Sequence, residues 1–111
     1  MHFKLPELTK RYYSIGEVAD IFDVNTSLLR YWEKEFPKLH PKKNNKGNRA
    51  YTPKDIEQIH LVFHLVKERG FTIEGARKKL RENADDVAQE AEVVNRLMSI
   101  RERLMKLKRE L

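Results

Sequence analysis

The spacing of apolar residues changes along the chain, and each change marks an element. Ile15, Val18, Ala19 and Phe22 fall at helical intervals, and Ser14 stands three residues ahead of Glu17, the spacing of a capping box. A first short helix is therefore predicted over residues 15–22. Asp23-Val24-Asn25 interrupts it, and Asn25 or Thr26 can cap a second helix. That helix carries Leu28, Leu29, Trp32 and Phe36 on one side and must end near Phe36, because Pro37 disfavours helical geometry in the residue before it. Two short helices joined by a tight turn form a helix-turn-helix candidate. Ahead of them, Tyr12-Tyr13 is β-prone, and residues 1–11 have no clear period and are expected to be a mobile lead-in.

Beyond Pro37 the pattern changes from helical to hairpin. Asn44-Asn45-Lys46-Gly47-Asn48 is turn chemistry, since Asn and Gly tolerate the left-handed backbone of a hairpin tip. His40–Lys43 and Asn48–Tyr51 are the predicted flanking strands, placed like a wing after the helix pair. Thr52-Pro53-x-Asp55 starts a further helix, which runs through Ile56, Ile59, His60, Phe63 and Val66 to Arg69 and stops at Gly70. Thr72 opens a short helix with Ile73, Ala76 and Leu80 that fades around Asn83-Ala84-Asp85.

From about Asp86 the repeat is heptad: Val93, Leu97, Ile100, Leu104, Leu107 and Leu111 recur at alternating steps of four and three. One helix cannot bury such a seam on a core this small, so a partner helix and a homodimer are expected. The fold class is mainly α: a winged helix-turn-helix with a small β-hairpin wing, a second helix pair and a long C-terminal coiled-coil helix. The organisation read from the pattern is a lead-in over 1–11, a winged-helix domain over 12–84 and a dimerisation helix over 85–111.

Composition narrows the class. Lys plus Arg number 23 against 17 acidic residues, a net charge of +6, and 36% of the chain is charged, against about 25% in ordinary domains. A polyanionic partner is expected. Without Cys there is no disulfide, thiolate metal site or cysteine nucleophile, which suits a reducing, cytoplasmic setting. Residues 1–11 carry no apolar run of a signal peptide, and no stretch approaches the roughly 20 apolar residues of a membrane span. There is no Gly-rich phosphate loop, no nucleophile–base set and no paired carboxylates in an apolar setting, so an enzyme is not expected. Asp85-Asp86 reads as the acidic start of the last helix. His60 and His64 have ligand spacing, but no third ligand is apparent and their apolar neighbours put them at the core border. No metal or cofactor is expected.

Two stretches carry candidate binding chemistry. With its apolar side anchored, the second helix leaves Thr26, Ser27, Arg30, Tyr31 and Lys34 to solvent or ligand, donors suited to phosphates and base edges. Lys38, Lys42, Lys43, Lys46 and Arg49 give the hairpin region five positive residues and no acidic one. Like charges so concentrated are best tolerated beside a polyanion. Nucleic acid fits better than a membrane, because the loop lacks an apolar inserting face.

Tyr13-Ser14-Ile15-Gly16-Glu17-Val18-Ala19, Leu29-Arg30-Tyr31-Trp32-Glu33-x-Glu35-Phe36-Pro37, Gly47-Asn48-Arg49-x-Tyr51 and Gly70-Phe71-Thr72-Ile73-Glu74-Gly75-Ala76-Arg77 stand in an order and spacing that resembles the DNA-binding domain of MerR-family transcriptional regulators. The resemblance spans about residues 12–81. It implies a homodimer with antiparallel dimer helices, bound to an inverted repeat in promoter DNA and distorting it, with RNA polymerase as the further partner in activating members. It also implies roles. Ser14 would set the first helix's amino end against a phosphate, Thr26, Ser27 and Arg30 would enter the major groove, and Tyr31 would lie on the backbone. Lys42, Lys43, Lys46 and Arg49 would form the wing, with Arg49 and Tyr51 matching the family's Arg-x-Tyr. Where many members have Arg-Thr early in the recognition helix this chain has Ser27-Leu28, which leaves Arg30 and Lys34 for longer reach. Inducer-sensing members carry ligating cysteines or an effector domain past the dimer helix; here a small-molecule pocket has almost nowhere to sit. An architectural DNA-bending factor similar to the excisionases, or a protein-interaction module on the same fold, are the rival readings.

Overall fold

The computed structural model describes residues 3–111. Each helix begins where a side chain can satisfy its free amide groups. Ser14 Oγ accepts from the Glu17 N–H (3.2 Å) and Glu17 Oε1 accepts from the Ser14 N–H (3.1 Å), closing the expected box at the start of α1, Ile15–Phe22. Asp23 ends α1 in the left-handed conformation (φ 52°). Asn25, not Thr26, caps α2, Thr26–Glu35, accepting from the Leu28 N–H at 2.8 Å. Phe36 is already extended (φ −112°, ψ 111°), as the following Pro37 requires.

The hairpin is shorter than its sequence suggests. Only Lys42–Lys43 (β1) and Arg49–Ala50 (β2) pair, antiparallel, with Lys42 opposite Ala50 and Lys43 opposite Arg49. Asn44 organises the tip: its side chain accepts from the N–H groups of Lys46 (2.9 Å) and Asn48 (3.0 Å), while Gly47 takes the positive φ of 79°. Tyr51, expected to prolong β2, instead forms an isolated bridge with Tyr13, with N–H···O bonds of 2.8 and 2.9 Å. The chain entering α1 and the chain leaving the wing are thus fastened together.

Thr52 and Asp55 close a second capping box on α3, Pro53–Phe63. The expected single helix to Arg69 does not hold its pitch: His64–Glu68 is a π-helical turn, before Gly70 (φ 74°) reverses the chain. α4, Ile73–Glu110, starts from a Thr72 cap and is broken at Asn83 (φ −139°, ψ 44°), where the sequence pattern fades.

One core joins these parts. Trp32, Phe22, Leu29, Tyr51, Ile56, Phe63 and Leu65 are fully enclosed. Val87 and Ala91 are buried as well, so packing against the folded half continues beyond residue 84, the expected limit of the winged-helix domain. From Val93 onward the heptad residues emerge, each more than half exposed.

Residues 1–2 of the lead-in lie outside the described residues; from Phe3 on, the segment is not the mobile one that its lack of period suggests. Phe3 packs its ring on Phe22, Phe63 and His60, with centroids 5.0, 4.7 and 5.3 Å away. The Leu5 N–H donates to Asn95 Oδ1 (2.6 Å), and Lys4 pairs with Glu102 (2.9 Å). A segment with no internal repeat is ordered by what it touches, and it straps α4 to the aromatic cluster.

His60 and His64 are buried, beyond the border position expected for them. His64 lies between carboxylates, Nδ1 3.0 Å from Glu68 and Nε2 3.0 Å from Glu90, and Arg69 also pairs with Glu90 (2.9 Å). Burial works to raise the Glu90 carboxyl, but the His64 hydrogen bond and the charge of Arg69 outweigh it and hold it below its ordinary value. Burial, reinforced by His64, lowers His60 from its ordinary value to about 4. The unfolded chain takes up a proton near pH 6.5 that folded His60 refuses, so its stabilising effect is complete above that pH and is lost as pH falls toward 4. Urea unfolding is expected to register about 2 kcal/mol of this loss by pH 5. His60→Leu should flatten the dependence; an unchanged pH profile in the variant would place its origin elsewhere.

Candidate nucleic-acid interface

Helical geometry separates α2 into two faces. Leu29 and Trp32 are buried, whereas Ser27, Arg30, Tyr31 and Lys34, at intervals of three, one and three, form an exposed stripe. Thr26 is half-buried at its start, and its Oγ1 accepts from Arg30 Nη2 at 3.2 Å, which lays the guanidinium back along the helix. The stripe combines hydroxyl, guanidinium, phenol and ammonium donors on a rigid element, the chemistry that duplex DNA accepts on its phosphates and base edges. On the wing, Lys42, Lys43 and Lys46 are exposed. None of these three, nor Arg30 or Lys34, is ion-paired among the described residues. Ser14 is exposed at the amino end of α1, with its own amide taken by Glu17.

Two residues expected to face DNA are engaged by one carboxylate of α2. Arg49 Nε donates to Glu33 Oε2 at 2.7 Å, and the Tyr51 hydroxyl donates to the other oxygen of the same carboxylate. Tyr51 is 1% exposed, enclosed by its bridge to Tyr13, and cannot reach a duplex. Burial first, and then the bond to Glu33, raise its phenol well above the ordinary tyrosine value, so it remains a donor. The cause is local. Glu33 lies one residue past Trp32 and turns its carboxylate toward the base of the wing, where β2 delivers a guanidinium and a phenol together. The five-charge basic segment is therefore partly neutralised at its root, while its four lysines make no ion pair among the described residues.

A second carboxylate fastens the same helix elsewhere. Arg77, near the start of α4, reaches Glu35 Oε2 at 3.1 Å and its main-chain oxygen at 3.4 Å. Glu33 and Glu35 thus hold α2 to the wing and to α4, and leave its cationic stripe pointing outward. Neither glutamate is singled out by the sequence pattern. The available signal is that acids stand amid a basic stretch, on the two flanks between the exposed stripe and the buried side.

Among the described residues, no group of three or more His, Asp or Glu side chains is arranged to hold a metal ion. No described helix is long and apolar enough to cross a membrane.

An exposed donor helix on a helix-turn-helix frame, flanked by a basic β-hairpin, defines a winged helix-turn-helix regulator. Residues 13–83 match the family model described as MerR HTH family regulatory protein, and the chain belongs to that family. It is 30% identical over 100 residues to the HTH-type transcriptional regulator ZntR of Escherichia coli, an alignment covering 86% of this chain and 70% of that one. The fold is shared with a MerR-family transcriptional regulator from Bacillus cereus (TM-score 0.56, 23% identity, 86% of this chain and 74% of that one). It is shared too with HiNmlR, a MerR-family regulator lacking the sensor domain and bound to promoter DNA (TM-score 0.53, 18% identity, 89% and 86% of the two chains).

The Glu33 clamp has a measurable role. Tyr51→Phe removes one hydrogen bond to a charged acceptor and should lower stability by about 1–3 kcal/mol in urea unfolding, with helix content unchanged. Amide exchange at Arg49 and Ala50 should quicken in the same variant. A stability within error of the parent would show that the bond merely replaces one to water.

Proposed function

We propose that the chain is a homodimeric transcriptional regulator that reads an inverted repeat in promoter DNA and distorts the DNA between the half-sites. The observation that carries this reading is the α2 stripe of Ser27, Arg30, Tyr31 and Lys34, exposed and beside a wing whose three lysines are unpaired. Thr26, Ser27 and Arg30 read the major groove, with Lys34 for longer reach. Tyr31 lies along the sugar–phosphate backbone, and Lys42, Lys43 and Lys46 contact phosphate. The amino end of α1 at Ser14 presents partial positive charge to the same backbone. Arg49, partly exposed, adds a wing contact to phosphate while its Nε is held by Glu33, and buried Tyr51 acts one step back through the same carboxylate.

The exposed seam of Val93, Leu97, Ile100, Leu104, Leu107 and Leu111 pairs with that of a second copy, antiparallel, and sets the distance between the two recognition helices. Contacts to backbone on both half-sites supply the free energy of distortion. In an activating regulator of this kind, RNA polymerase is the further partner. The chain would act in the cytoplasm, on the nucleoid.

Selection of bound fragments from a randomised duplex pool tests the reading: an enriched inverted repeat of fixed spacing is expected. Salt-sensitive binding with no enriched sequence would favour an architectural DNA-bending role, and no binding at moderate salt would favour a protein-interaction module. On the selected site, Arg30→Ala should cost about 1–3 kcal/mol and relax discrimination at one position. Equal losses on random duplex would make it a phosphate contact. Lys43→Ala should weaken all sequences alike and reduce the salt slope by about one counterion. Leu104→Glu puts a charge in the seam and should give monomers by light scattering; a surviving dimer would place the contact elsewhere.

A further inference from the structure

Between the end of α2, the outer side of α3 and the first turns of α4 lies a cavity of about 310 Å³. That volume stands at the lower end of the roughly 300–1,000 Å³ typical of small-molecule sites. The cavity lies ahead of the exposed arm, against the folded half. Its walls are apolar: Phe36 and Leu39 from the segment after α2, Leu61 and Val62 from α3, and Leu80 and Ala84 from α4. Gln58 adds one neutral amide.

The charged groups lining the cavity are all cationic: Lys38, Arg77 and Arg81. Arg77 is engaged by Glu35 at 3.1 Å, and that carboxylate is the acidic neighbour of the cavity. Lys38 and Arg81 are exposed and make no ion pair among the described residues. An apolar chamber with two free cations at its edge is complementary to a molecule with an apolar body and one anionic head.

We propose that this cavity binds a small amphipathic carboxylate, its apolar body enclosed by Phe36, Leu39, Leu61 and Leu80 and its head on Arg81 and Lys38. Its place in the fold gives binding a consequence. Phe36 ends the recognition helix, and Ala84 follows the break at Asn83, so an occupant touches both the element that faces DNA and the joint from which the long arm departs. Filling the cavity resists any change in the angle between them. Binding is a property of the protein alone and does not depend on the DNA-reading assignment.

The test uses the full chain, labelled for amide and methyl NMR, titrated with octanoate and with 1-octanol as a neutral counterpart. Octanoate should give saturable shifts centred on Leu39, Leu61, Leu80 and Ala84, with octanol roughly tenfold weaker, the worth of one charge-assisted hydrogen bond. Arg81→Glu, a change at the exposed rim, should weaken octanoate roughly tenfold and leave octanol unchanged. Ala84→Phe should fill the chamber and abolish both, and if that variant fails to fold the Arg81→Glu comparison still decides. Equal affinity for octanoate and octanol would overturn the proposal. So would shifts confined to the heptad residues Val93 to Leu111, the sign of detergent-like adsorption. Intermolecular contacts from the Leu61 and Leu80 methyls in the unliganded protein would also overturn it, by showing the cavity already filled by a second copy.

Discussion

The structure depends on how a small, strongly basic domain aims its positive charge. Two glutamates on α2 solve the problem. Glu33 takes the guanidinium of Arg49 and the phenol of Tyr51, and Glu35 takes the guanidinium of Arg77. Each anion ties α2 to a different part of the molecule, and each neutralises a cation that would otherwise repel the neighbouring lysines. The Glu33 carboxylate is largely shielded, at 13% side-chain exposure, so its bonds count for more than ion pairs in open solvent. On α2 and the wing, the cations left unpaired among the described residues are those of the exposed stripe, Arg30 and Lys34, and the hairpin lysines Lys42, Lys43 and Lys46. Selective neutralisation shapes this face locally, within a chain whose net charge is +6.

Much of this architecture was legible in the order of residues, because caps and breakers act locally. Ser14 with Glu17, Thr52 with Asp55, Pro37 and Gly70 do in the structure what their chemistry requires within a few positions of themselves. The exposed residues of α2 were likewise readable, since a helix with Leu29 and Trp32 inside has only one other side. Contacts between distant segments could not be read in this way. Whether Tyr51 faces out or in depends on Tyr13, some forty positions earlier, and on Glu33 from another element. The same holds for Phe3: nothing beside it in sequence predicts that it seats on Phe22 and Phe63. The cavity is invisible for the same reason, being the space three non-adjacent segments fail to fill.

The buried histidines show how one irregularity links separate regions. The π-helical turn at His64–Glu68 departs from regular pitch at the place where His64 meets Glu68 and, from α4, Glu90. Regular hydrophobic spacing through Phe63 and Val66 gave no hint of it. Arg69 joins the same carboxylate, so the end of the α3 segment is held to α4 by polar contacts while the Phe3 strap holds it by aromatic ones. The two attachments lie on residues of different chemistry and respond to different conditions.

The break at Asn83 has a consequence for how such a protein can diverge. In an uninterrupted helix every inserted residue turns all that follows by about 100° and advances it by about 1.5 Å. A residue gained or lost before the arm would then swing its exposed apolar stripe out of phase with α2. A joint with non-helical torsions can absorb that rotation, while Leu5 on Asn95 and Lys4 on Glu102 index the arm from outside. Rotational phase is thereby set by side contacts rather than by residue count, and the length of the arm becomes free to drift while its bearing is kept.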